Sequence, residues 1–204
     1  MTAGAKLDPP LPFSPTAHQA LRDLAVHSGT GVTILCGFPA AGKTTATRLL
    51  ADLVDPVVLD KDTFAPRLEE SVMAELTCNP HDRDSDLYRR VVSPHLYTAL
   101  VGQAVTIARR CPVLVDAPFL GYITAASEQS QRLSDYIRTI AGGETAIRTV
   151  WVGTDTTRIR ERMALRGAER DQPKLDDWET YRSGVLDSGL ARTGPAVADY
   201  LTTN

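Results

Sequence analysis

Gly37-Phe38-Pro39-Ala40-Ala41-Gly42-Lys43-Thr44 meets every fixed position of G-x-x-x-x-G-K-[ST]. The chemistry of that spacing is phosphate binding. A glycine-bearing turn running into a helix gathers backbone N–H groups around one point, and the helix N-terminus adds partial positive charge there. Lys43 brings a full charge to the outer phosphates, and the Thr44 hydroxyl is a natural Mg²⁺ ligand. Pro39, Ala40, Ala41 and Thr45 complete the cradle. The pattern calls for a nucleoside triphosphate with Mg²⁺.

Two apolar runs end in acids. Residues 56–59 lead into Asp60-Lys61-Asp62-Thr63-Phe64, and residues 112–115 lead into Asp116. Strand carboxyl ends rim the ligand crevice of open α/β sheets, so these acids are placed for chemistry. Asp62 is the candidate general base for an acceptor hydroxyl. Asp60, two residues away, shares its side of an extended backbone, with Lys61 pointing the other way. A solvated mixed-charge turn is the alternative. Asp116 suits a Mg²⁺ ligand, through water, or an acceptor contact; a helix N-cap is its alternative.

Arg158, Arg162 and Arg166 recur at i, i+4 and i+8, on one helical face. Three guanidinium groups together repel unless an anion or carboxylates sit among them. A lid carrying arginines to a triphosphate satisfies that. So does an ion-pair helix neutralised by Asp155, Glu161 and Glu169. Arg160 and Arg170 fall off this face. The polar loop 78–85, with His81 and Arg83, is an acceptor-reading loop or surface decoration.

The elements that must position these residues follow from periodicity. The spacing predicts helices over 16–26, about 43–53 (packing Ala46, Leu49, Leu50 and Leu53), 66–76, 86–110 with an interruption near Pro94, 127–140 and 155–166. Strands are expected at 32–36, 56–59, 112–118 and 146–152. Alternating strands and helices imply a parallel sheet with right-handed crossovers and helices on both faces. A fifth strand is expected beyond 184, but residues 192–201 hold no run apolar enough to mark it. Residues 1–15 read as a flexible Pro-rich arm. Residues 16–204 read as one domain, with 66–110 as a helical acceptor-side region and 155–175 as a lid.

The chain has 204 residues, 43% hydrophobic and 23% charged, with net charge −3. That charge argues against a protein whose main task is holding nucleic acid. The three cysteines have neither metal-ligand nor disulfide spacing and read as buried thiols. No run approaches membrane-spanning length and the N-terminus lacks a continuous apolar stretch, so a cytoplasmic protein without a membrane partner is expected.

Together, Gly37–Thr44, Asp60-Lys61-Asp62-Thr63-Phe64, the acid-ended strand at Asp116, and Arg162 to Gly167 resemble the zeta-toxin, chloramphenicol-phosphotransferase and polynucleotide-kinase-like branch of the P-loop kinases. The resemblance covers roughly residues 32–170. It implies a three-layer fold with sheet order 2-3-1-4-5, ATP at the phosphate loop, Asp62 as base, and an Arg-bearing helical lid. Zeta toxins typically carry Glu where Asp116 stands. The reaction implied is transfer of the γ-phosphate of Mg·ATP to a small-molecule hydroxyl, on a metabolite, an antibiotic or a nucleotide sugar. A regulatory ATPase without an acceptor is the rival, and a polynucleotide 5′-hydroxyl kinase a further alternative.

Overall fold

The computed structural model describes residues 13–204. Five strands form one wholly parallel sheet: β1 (Val32–Cys36), β2 (Val57–Asp60), β3 (Val113–Asp116), β4 (Ile147–Gly153) and β5 (Tyr200–Thr203). Their spatial order is β2-β3-β1-β4-β5. β1 and β3 are buried throughout, as strands covered on both faces must be, and read as unbroken apolar runs apart from Thr33 and Asp116. β5 is the strand that hydropathy leaves unmarked. Tyr-Leu-Thr-Thr is polar because it lies at an edge, where Leu201 is exposed.

Helix α1 (Pro15–His27) packs on α2 (Lys43–Val54), which crosses from β1 to the far edge at β2. The short α3 (Lys61–Phe64) and α4 (Pro66–Thr77) follow β2. A π-helical turn, Tyr88–Val92, runs straight into α5 (Ser93–Ala108), which covers β3 from the other face. Then come α6 (Leu120–Glu128), α7 (Leu133–Ala141), α8 (Thr156–Arg166), α9 (Gln172–Asp176), α10 (Trp178–Tyr181) and α11 (Leu190–Val197). Right-handed crossovers put α2 on one face, because β1 to β2 runs leftward through the order. They put α5, α7 and α11 on the other, where the chain runs rightward. One core extends from Phe13 to Ala198.

Several expectations need correction. The arm expected over 1–15 falls, for residues 1–12, outside the described residues; Phe13 is buried, Ser14 caps α1 and Pro15 begins it. Leu53 is 54% exposed and leaves the packing face of α2 to Ala46, Thr47 and Leu50. The helix expected over 127–140 is two helices, because the chain turns at Gln129–Arg132 through Ser130 at φ 53°. Cys78 is exposed at the end of α4, so only Cys36 of the three thiols is fully buried. The 21-residue stretch Tyr88–Ala108, with an 18-residue window of mean hydropathy 1.2, is long and apolar enough to cross a membrane. Its apolarity here serves the sheet: Leu96, Leu100, Val101, Ala104 and Val105 are buried in the core.

Candidate active site

The carboxyl ends of β1, β2 and β3 open into a cleft of about 1060 Å³. Its lining includes Lys43, Thr44, Asp60, Asp62, Asp116 and Arg162. Register explains the two acids: Asp60 and Asp116 are partners on the adjacent strands β2 and β3, so both carboxylates finish at one edge of the cleft. Leu35 of β1 is also level with Asp116, which sets the phosphate loop beside them.

The loop's path requires its glycines. Gly37 sits at φ 131°, where a Cβ would stand 2.6 Å from the Val152 carbonyl oxygen. Gly42, at φ 106°, is the N-cap of α2 and offers no side chain to the N–H groups of the first turn. Those donors are free for an anion, which fits the residues to a phosphate group. Lys43 is 8% exposed, and its Nζ donates to the Phe38 carbonyl at 2.9 Å. Burial lowers its pKa, while Asp116 and Asp62 oppose the shift.

Thr44 Oγ1 donates to Asp116 Oδ2 at 2.7 Å. The N-cap alternative for Asp116 therefore falls: the next helix, α6, has Phe119 as its N-cap and no side-chain cap. Burial raises the Asp116 pKa, against the Lys43 charge and the Thr44 bond. No group of three or more His, Cys, Asp or Glu residues fit to hold a metal occurs among the described residues. A divalent cation at Thr44 and Asp116 would draw its remaining ligands from phosphates and water, the habit of Mg²⁺.

Asp62 is not on an extended strand. β2 stops at Asp60, whose carboxylate accepts the Asp62 N–H at 2.7 Å and caps α3. The alternation predicted for Asp60, Lys61 and Asp62 fails for that reason. Lys61 turns inward, nearly buried, onto Glu69 Oε1 at 2.8 Å. Asp62 faces the cleft, and Arg170 Nη2 approaches its Oδ2 at 2.9 Å.

The arginine face divides. Arg162 Nη1 donates to the carbonyls of Ala40 (3.3 Å) and Ala41 (3.0 Å), so α8 already touches the phosphate loop. Arg166 lines the cleft and donates to Asp171, which is buried. Arg158 pairs with the N-cap Asp155 at 3.3 Å and does not line the cleft, so the ion-pair alternative holds for it. Arg83 lines the cleft. Of the other loop residues, Gly37 spends its N–H on the Pro118 carbonyl, while Pro39, Ala40, Gly42 and Thr45 line the cleft and Ala41 is buried behind it.

Sequence reasoning missed Glu69 and Tyr88, and left Arg170, Asp171 and Lys174 without roles. Glu69 has a legible signal in hindsight. It shares with Met73 the buried face of α4, i and i+4, where a carboxylate needs partners.

A parallel sheet in this order, with Gly42-Lys43-Thr44 entering α2 at its carboxyl edge, defines a nucleotide-binding P-loop α/β fold of the kinase-like type. The family model described as AAA domain (AAA_33) matches residues 32–185, and the chain belongs to that family. No curated protein matches it. Among solved structures it is similar to the shikimate kinase of Acinetobacter baumannii in complex with shikimate, at 18% identity and TM-score 0.51, covering 88% of this chain and 86% of that one. It is also similar to a chain from the PezAT chromosomal toxin–antitoxin system of Streptococcus pneumoniae, at 11% identity and TM-score 0.50, covering 94% and 77%. At those identities the likeness is one of fold.

Proposed function

We propose that this protein is a cytoplasmic kinase that transfers the γ-phosphoryl group of Mg·ATP to a hydroxyl of a small molecule, with Asp62 as general base. The observation that carries this reading is the placement of Asp62, Lys43 and the Thr44–Asp116 pair around one cleft. A shikimate kinase on the same fold, bound to its small alcohol, supports it by analogy. The net charge of −3 favours a small acceptor over a nucleic-acid strand.

Lys43 and the N–H groups of residues 42–45 would hold the β- and γ-phosphates, the Ala41 N–H being spent on the Phe38 carbonyl. Thr44 and Asp116 would hold Mg²⁺, whose charge offsets that of the phosphates. Asp62 takes the proton of the acceptor hydroxyl as that oxygen bonds to the γ-phosphorus, and the bond to the β–γ bridging oxygen breaks to release ADP. Arg170 holds Oδ2 of Asp62 at 2.9 Å, and Oδ1 lies 3.8 Å from Lys61 Nζ. Arg162 and Arg166 lie where a guanidinium can offset charge on the transferring group.

The test is ADP production by wild type and Asp62→Asn with nucleosides, nucleotide sugars, hydroxy acids, antibiotics and a 5′-hydroxyl oligonucleotide. Stimulation by one acceptor, reduced by about 10²–10⁴ in the variant while ADP affinity holds, is the expected result. Slow ADP release indifferent to every acceptor and to Asp62 would replace this reading with a regulatory ATPase.

A further inference from the structure

We propose that the alcohol accepted here carries an anionic group, a carboxylate or a phosphate, and that Arg83 binds it. The inference rests on the kinase reading for the word acceptor, but its evidence is the charge cluster around the buried Glu69, whose members Lys61, Arg83 and Tyr88 the transfer step does not use.

Glu69 is 2% exposed. It accepts from Lys61 Nζ at 2.8 Å and from the Tyr88 hydroxyl, and Arg83 Nε lies 3.4 Å from the same oxygen. Two cations thus share one buried carboxylate. Asp62 lies 3.8 Å from Lys61, but it brings Arg170 with it. Asp84 is matched by Lys174 at 2.8 Å and Asp86 by Arg89 at 3.0 Å, while Glu169, beside Arg170, pairs with His81 at 3.4 Å, so the excess is local to Glu69 and its two cations. Asp60 lies on the Asp116 side and caps α3. Two largely buried cations on one buried carboxylate leave positive charge at the cleft wall, which an anion there would offset.

Arg83 is the member built to meet that anion. Its side chain is 16% exposed and lines the cleft. Nη1 donates to the Pro80 carbonyl at 2.8 Å, Nε faces Glu69, and the guanidinium lies 5.7 Å from the centre of the Tyr88 ring. Among the described residues Nη2 donates no hydrogen bond. A guanidinium fixed on three sides and free at one nitrogen loses little entropy on taking a carboxylate or phosphate oxygen. Glu69 and Tyr88 are then positioning residues, holding Arg83 in place.

The experiment has two arms. In the first, protein saturated with Mg·ADP, so that the phosphate loop is filled, is titrated at constant ionic strength with inorganic phosphate and with acetate. The Arg83 Nε–H resonance, assigned by its loss in Arg83→Lys, is followed by NMR. In the second, acceptor pairs that differ only in charge are compared with Mg·ATP: glycerol 3-phosphate and glycerate, each against glycerol, then larger phosphorylated and carboxylated sugars against their neutral parents. The expected result is a saturable Arg83 shift. Charged acceptors should be preferred about 10- to 100-fold in kcat/KM through KM, with the preference lost in Arg83→Gln and partly restored in Arg83→Lys. The better anion in both arms separates phosphate from carboxylate. A neutral acceptor used equally well, or an Arg83 resonance indifferent to both anions, overturns the inference and leaves the kinase standing. A saturable Arg83 shift with no transfer to any acceptor does the reverse.

Discussion

Arg170 Nη2 sits 2.9 Å from Asp62 Oδ2, tying the turn after α8 to the end of β2. It is one of three such ties. Glu169 pairs with His81 at 3.4 Å and Lys174 with Asp84 at 2.8 Å, so residues 169–174 are also fastened to the loop that follows α4. Each pair includes an exposed or part-exposed partner, and such pairs are weak and salt-sensitive.

Arg170→Gln should therefore shift stability by no more than about 1 kcal/mol in urea denaturation. Transfer should suffer more, because a base displaced by about 1 Å costs on the order of 10² in rate. Single-turnover rates of wild type, Arg170→Gln and Arg170→Lys check this. An unchanged rate in the glutamine variant would remove Arg170 from the base's support.

Glu69 behaves differently because it is buried. Glu69→Gln leaves Lys61 and Arg83 without their carboxylate and should cost about 3–5 kcal/mol. Tyr88→Phe, which deletes one donor to the same oxygen, should cost nearer 1 kcal/mol. The Tyr88 hydroxyl is held protonated well above the usual range by burial and by Glu69, so it remains a donor across all working pH. Urea midpoints of the two variants order the effects.

Mg·ATP at about 100 times its Kd should stabilise the folded chain by about 2.7 kcal/mol, a rise of about 5–10 °C in Tm. Lys43→Ala should lose most of that rise, since its ammonium is the charge aimed at the outer phosphates. Thermal scans with and without nucleotide measure it directly.

Cys36 gives a pH signature. Burial pushes its thiol from 9.0 up to about 12. A raised folded value means that the contribution is fully present below pH about 9 and is lost as pH rises toward 12, where the unfolded thiol ionises first. Stability should fall by about 1.4 kcal/mol per pH unit within that window from this group, and Cys36→Ala should lack that component. At pH 8, iodoacetamide should label the exposed Cys78 well before Cys36.

The parts legible in the sequence were those with local rules. The phosphate loop, the strand at 32–36 and the Gly167 stop of α8 follow from spacing and backbone need. The sheet order came only with the family resemblance, because order is a property of crossovers and not of any one run. β5 stayed hidden since an edge strand needs little apolarity. Lys61 was misdirected by assuming that β2 persists, when the Asp60 cap starts a helix at that point. The charge ties made by Arg170 and Lys174 join residues far apart in sequence, and no periodicity announces them.

β2 and β3 end in register, and the cleft-lining residues from Lys61 to Tyr97 belong to the single connection between them. The nucleotide side is built from other segments: the phosphate loop, Asp116 and α8. Beyond Asp62 and the core face of α5, that connection can therefore vary in length and in residues without disturbing the ladder that sets the spacing of Asp60 and Asp116.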